Sequence, residues 1–195
     1  MAYAAMTELE AINEILMNCG LSPVNSLSLV TPEVEKAKKI LTTTSRAVQT
    51  MGWSFNTDRN LKITPDATNS QIIVPLNALT IDTVGESAGI EVTQRGGILR
   101  KTNRYEGTDP RVFDSAVYVD IVYYLPFEEI PQSGRWYITI RAARRFADSF
   151  SASGTVHGFT REEEMYALAD LREQEGAEGD YTMLDTMSYI RRRTL

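Results

Sequence analysis

Two groups of ionisable side chains have the types and spacing that chemistry requires. Arg141, Arg144 and Arg145 recur at i, i+3 and i+4, so a helix would set them on one side, where they can grip phosphate or pair with carboxylates. Glu128-Glu129 and Glu162-Glu163-Glu164 are the natural carboxylate candidates, with Asp170 and Glu173 further along. Two carboxyl groups flanking a sugar cleft suffice for glycoside hydrolysis, one as acid and the other as base or nucleophile. Both carboxylate sets also have plainer roles. Glu128-Glu129 falls in a turn bounded by Pro126 and Pro131, and the triplet decorates a helix start, where negative charge offsets the helix dipole by roughly 0.3–1 kcal/mol per group. The plainer roles are the better reading, and a tail-associated glycan hydrolase with a paired-carboxylate site stays as the alternative.

Other catalytic signatures are missing. His157 is the single imidazole, so any histidine-dependent dyad or triad must use it. It lies in a loop between expected helices, where a surface or packing role suits it better than general base. Phe150-Ser151-Ala152-Ser153-Gly154 imitates a nucleophile elbow, but Ser151 replaces the first glycine and no strand leads into it. Glycine-rich nucleotide loops of the Rossmann or Walker kind do not occur. Cys19 is the only cysteine and falls on an expected apolar helix stripe, which reads as a buried structural thiol. With one Cys and one His, no Cys/His zinc set is possible. No cofactor, metal or catalytic residue is expected.

Helices and strands must position these groups. Thr7 and Glu10 have capping-box spacing, Leu9, Ile12, Leu16 and Cys19 form a helical stripe, and Gly20 ends it. Thr31-Pro32-Glu33 opens a second helix with the stripe Val34, Ala37, Leu41, Thr44, Val48 and Met51, closed by Gly52. The period then drops to two. Trp53 to Asn56 and Leu61 to Thr64 read as a hairpin, and Gln71 to Pro75 and Leu79 to Val84 as short strands. Arg95-Gly96-Gly97 is the tight turn of another hairpin, and Asn103 to Asp114 a polar loop. Ala116 to Leu125 is apolar on both faces, which predicts a central or covered strand. A third helix follows, with the stripe Trp136, Ile140, Ala143, Ala147 and Phe150. Tyr137 and Ile138 share its arginine-bearing side, as if that side also meets a surface. After the Ser/Gly-rich loop, Thr160 and Glu163 cap a fourth helix with Met165, Leu168 and Leu171 inward, broken by Gly176 and Gly179.

The expected fold is α+β: an antiparallel helical bundle, of two N-terminal and two C-terminal helices, with an inserted β-rich lobe. The bundle takes residues 1–52 and 131–180, the lobe 53–130, and a tail 181–195. That tail carries Met183, Leu184, Met187, Tyr189 and Ile190 before Arg191, Arg192 and Arg193. It either folds back onto the bundle or docks into a partner through apolar anchors and a basic end.

Charge limits the partners further. With 20 Lys and Arg against 26 Asp and Glu, the net charge is −6, so the chain lacks the general basic excess of a nucleic-acid wrapper. The charge is unevenly placed. Residues 131–150 hold four arginines against one Asp, and 160–185 hold nine carboxylates against two arginines. Pairing between the third and fourth helices is therefore the favoured use of the arginines, within a subunit or between subunits, with Arg141, Arg144 and Arg145 meeting Glu163, Asp170 and Glu173. No apolar run reaches the roughly 20 residues of a membrane span, and the N-terminus has no signal-type segment. Folding in the cytoplasm of the producing cell is expected.

Several local strings, in this order, resemble the tail tubular protein A family, the head-to-tail adaptors of short-tailed phages: Asn13 to Leu16, Gly52-Trp53-Ser54-Phe55-Asn56, Arg95-Gly96-Gly97, Arg111-Val112-Phe113-Asp114-Ser115, Arg144-Arg145-Phe146 and Tyr181-Thr182-Met183-Leu184-Asp185. The resemblance runs over essentially the whole chain, apart from Tyr189 to Leu195. It implies a virion tail protein without enzymatic activity, assembled in the host cytoplasm as a ring of twelve copies between portal and nozzle proteins. Genomic double-stranded DNA would pass through its channel without specific binding, and the C-terminal tail would dock on the portal.

Overall fold

The computed structural model describes residues 5–28, 31–102, 109–150 and 161–178. The fold is α+β, with four helices and antiparallel sheets, as the periodicities imply. The chain divides into two compact units, Met1–Ser45 with Phe127–Leu195, and Arg46–Pro126.

The first unit is helical. Helix α1 (Glu8–Met17) starts at the expected capping box: Glu10 N–H donates to Thr7 Oγ1 at 3.2 Å, and Thr7 N–H donates to Glu10 Oε2 at 2.7 Å. Gly20, at φ +71°, turns the chain out of it. Cys19 is not on the helix stripe; it lies in this turn, half-buried, and burial raises its thiol pKa. Helix α2 (Pro32–Gln49) begins as expected, with Thr31 Oγ1 accepting from Val34 N–H at 3.3 Å, and buries Val34, Ala37, Leu41, Thr44 and Val48. Its last turn belongs to the second unit.

Helix α3 (Gln132–Phe150) packs against both α1 and α4 (Arg161–Glu178). It therefore buries side chains on more than one side. Besides Ile140, Ala143 and Phe146, it buries Tyr137, Ile138 and Ala142 on the side where the arginines project. Trp136 and Ala147, expected on the buried stripe, are only half-buried. Helix α4 corrects the expectation twice. Its inward stripe is Ala167 and Leu171, with Leu168 and Glu164 partly covered, whereas Met165 is 62% exposed. It also runs through Gly176, since one glycine mid-helix costs only about 1 kcal/mol.

The start of the chain is tied to α3 by side chains. Met6 N–H donates to Gln132 Oε1 at 2.7 Å. The buried Arg135 donates to the carbonyls of Met6 and Ile130, each at 2.6 Å, and to that of Glu128 in a short hydrogen bond. A cation near a helix N-terminus opposes the dipole. Here the planar fork compensates by satisfying three carbonyls of the segments that precede α1 and α3.

The second unit is β-rich. Strands β1 (Thr57–Ile63), β2 (Ala78–Thr83) and β5 (Val117–Tyr123) form an antiparallel sheet in the order β1-β5-β2, so the doubly apolar strand is indeed central. Strands β3 (Val92–Arg95) and β4 (Ile98–Lys101) make the expected hairpin, with Gly96 and Gly97 at φ +61° and +75° in its turn. Residues 71–74 run alongside β4 through Leu99 N–H to Ile72 O and Val74 N–H to Gly97 O. Ile72, Val74, Leu99, Phe113, Val117, Val119 and Ile121 are the common core.

The hairpin expected at Trp53 to Thr64 does not form. Ser54–Asn56 is a 3-10 turn and the rest is the single strand β1, with a bulge between Asp58 and Leu61. Asn56 is the cause. Its Oδ1 accepts from Trp53 N–H at 2.8 Å, and its Nδ2 donates to Gln49 O and Tyr123 O at 2.9 and 2.7 Å. Gln49 next to it exchanges both amide hydrogen bonds with the backbone of Leu125.

Candidate functional site

The arginines of α3 and the carboxylates of α4 form a seam inside the helical unit. Arg144 makes a short charge-assisted contact with Glu164. Arg141 Nε lies 3.8 Å from the other Glu164 oxygen, and its Nη1 donates to Tyr137 Oη at 2.9 Å. Arg145 Nη1 donates to Thr44 Oγ1 of α2 at 2.7 Å. All three cations thus have partners in their own unit, and the carboxylate that Arg141 and Arg144 share is Glu164, one member of the helix-start triplet. Among the described residues, Asp170 and Glu173 form no ion pair and stand exposed on α4. Glu163 is exposed and has contacts of its own.

The carboxylates considered for hydrolysis do not converge with one another. Glu128 and Glu129 are exposed on a 3-10 turn before α3, and Glu162 and Glu163 are exposed on α4. A different residue, Glu8, is the described carboxyl whose pKa is raised: burial acts first, then the charge of Glu128, with Lys38 pulling the other way. Nothing in its sequence context, the first turn of an amphipathic helix, signals this. Asp109 moves the opposite way, to about 2, because Arg111 grips it through Nε and Nη2.

Several sequence candidates lie outside the described residues: His157, Ser151 to Gly154, and the tail residues Met183, Leu184, Met187, Tyr189, Ile190, Arg191, Arg192 and Arg193. Among the described residues, no group of three or more His, Cys, Asp or Glu is arranged to hold a metal ion. No described helix is long and apolar enough to cross a membrane.

Exposed apolar side chains mark two further surfaces. On α4, Met165 and Tyr166 are 62% and 70% exposed, between Glu162, Glu163 and Asp170. In the β-rich unit, Ile73 and Leu76 are 71% and 95% exposed beside the β3–β4 turn. Leu76 covers that turn closely enough that a Cβ built at Gly97 would lie 3.9 Å from its Cδ2.

A family model described as "Tail tubular protein" matches residues 9–181. Tail tubular protein A of Klebsiella phage KP34 is 29% identical over 171 residues, covering 86% of this chain and 87% of its own length. The match takes in both compact units, from α1 through the β-rich insert to α4 and beyond. The chain belongs to the tail tubular protein family, and it is a phage tail protein.

Proposed function

We propose that this chain is a ring-forming tail adaptor, a structural, non-enzymatic protein that joins the portal to the tail nozzle and lines part of the DNA ejection channel. The observation that carries the reading is the family match across residues 9–181, which makes a tail location the starting point. Charge supports the channel role. Each phosphate neutralised by Lys or Arg adds salt-dependent affinity, so a conduit for DNA works best with few free cations. This chain is net −6, and Arg141, Arg144 and Arg145 are engaged by Glu164, Tyr137 and Thr44. On this reading the ring has twelve copies, assembles in the host cytoplasm, and docks on the portal through Met183, Leu184, Met187, Tyr189, Ile190 and Arg191 to Arg193.

Native mass spectrometry and negative-stain imaging of the purified chain, with and without portal rings from the same phage, test this. Closed rings that cap the portal are expected, and removal of residues 186–195 should abolish capping while circular dichroism stays unchanged. A chain that stays monomeric and ignores the portal would refute the adaptor role. Saturable glycan hydrolysis lost with Glu128→Gln or Glu163→Gln would establish the enzymatic alternative instead.

A further inference from the structure

We infer that neighbouring subunits meet by seating the outer stripe of α4 of one copy on the outer face of the β3–β4 hairpin of the next. The inference deepens the ring reading above and rests on it. A ring is built from heterologous contacts, in which two different patches of one subunit are complementary. The α3–α4 seam does not offer such a pair, because Arg141, Arg144 and Arg145 are engaged inside their own subunit. Glu162, Asp170 and Glu173 stand exposed elsewhere on α4.

The two faces can be read residue by residue. Directly opposed strand residues share a face. Arg95 pairs with Ile98, Thr93 with Arg100, and Ile73 bridges Ile98, so these five share a face opposite to the buried Leu99. Leu76 adds a fully presented apolar side chain at the turn. This face is apolar and basic. Among the described residues its first carboxylate is Glu91, beyond the last strand pair, where Thr102 lies against it. The Nε of Arg100 is buried with no hydrogen-bond acceptor among the described residues. Asp109, the acid near Arg100, is held by Arg111.

The face on α4 is the counterpart in chemistry. Ala167 and Leu171 point inward, which leaves Glu162, Tyr166, Asp170 and Glu173 as an exposed row at helical spacing, with Met165 beside Tyr166 and the exposed Arg161 and Arg172 on the far flank of Met165. The row of three carboxylates around Tyr166, with Met165 at its edge, faces two bulky apolar side chains among arginines. Burial of the apolar pairs supplies affinity, and the opposite charges fix register and reject like-charged faces. A second copy is the occupant that carries both halves of this match on one chain.

The test uses full-length chains blocked on one face at a time. One variant carries Ile73→Asp with Leu76→Asp, the other Met165→Asp with Tyr166→Asp, and assembly is followed by native mass spectrometry and sedimentation, alone and on portal rings. Each should raise the concentration needed for assembly at least about tenfold, with unchanged circular dichroism. Mixing the two should give a 1:1 dimer that does not grow, because one good junction remains. Should either pair lower the melting temperature, Arg95→Glu and Asp170→Lys repeat the experiment at exposed positions: each alone should impair assembly, and their mixture should assemble again, because both mixed junctions then join opposite charges. Rings that persist unchanged in the blocked variants overturn this contact and leave the ring intact. Blocked variants that yield no dimer on mixing also overturn it. A wild-type chain that never assembles, alone or on portal, overturns both readings.

Discussion

The two units solve the same closure problem with different chemistry. The helical unit is assembled from stretches that lie far apart in the sequence, and polar side chains bind them: Arg135 and Gln132 of α3 hold the backbone of Met6. The β-rich unit is one continuous stretch, 46–126, gathered around seven buried apolar residues. An apolar core is tolerant of direction but sensitive to volume, whereas a guanidinium fork is sensitive to geometry. The first arrangement should therefore fail by losing one donor, the second by losing volume.

Phe113→Ala gives the largest expected effect, about 3–5 kcal/mol of destabilisation from lost burial and the remaining cavity. Denaturant melts followed by hydrogen exchange should show protection lost first across β1, β2 and β5. Arg135→Ala should cost less, about 2–4 kcal/mol, by leaving buried carbonyls without a donor. Its exchange should rise in α1 and the start of α3, with the β strands spared. Arg135→Lys should recover under half of that loss, since an ammonium cannot present the planar fork; full recovery would show that charge alone matters. Equal loss of protection in both units for Phe113→Ala and Arg135→Ala would show that the two units fail in the same way.

Smaller effects sharpen the comparison. Gly52 sits at φ +74°, and a Cβ there would lie 3.1 Å from Val122 Cγ2, so Gly52→Ala should lower stability by about 1–3 kcal/mol. Thr7→Ala, which removes the cap of α1, should cost about 1 kcal/mol. Acid titration gives the smallest and most local signal, readable as carboxyl chemical shifts. Asp109 has its folded pKa lowered to about 2, so its contribution is present above the ordinary aspartate range and is lost as pH falls towards 2. Glu8 has its folded pKa raised, so the sign reverses. Its neutral form favours the fold, and the contribution grows as pH falls through the folded value towards the ordinary one.

Much of this architecture was legible wherever a local rule and the tertiary packing agree. Thr7 and Glu10 capped α1 as their spacing demands, Gly96 and Gly97 turned the hairpin, and the doubly apolar strand took the middle of the sheet. The sequence reading went astray where a side chain overrides periodicity. Asn56 alternates with its neighbours as a strand residue would, yet its amide bonds back to Trp53 and closes Ser54–Asn56 into a 3-10 turn. On α4, the larger Met165 suggested the inward side, but the tight approach to α3 selects the small Ala167. Arg135 left no trace, because its acceptors are backbone groups that every residue has. Of the candidate site, the arginine–carboxylate polarity was visible, and the identity of Glu164 as the shared partner was not. The inward place expected for Met165, beside the correctly placed Leu171, concealed the exposed pair Met165 and Tyr166.

The amide of Gln49 has a mechanical consequence. It bonds both backbone groups of Leu125, and Asn56 adds a bond to Tyr123, so the chain segments entering and leaving the β-rich unit are fastened to each other at its base. Tension pulling residues 46 and 126 apart would load these bonds before it reached the strands. The insert would then resist as a closed loop, and the strand order behind the clasp would be shielded from the pull. Force spectroscopy with attachment points at those two positions should record one high rupture event, followed by easy extension once Gln49 lets go.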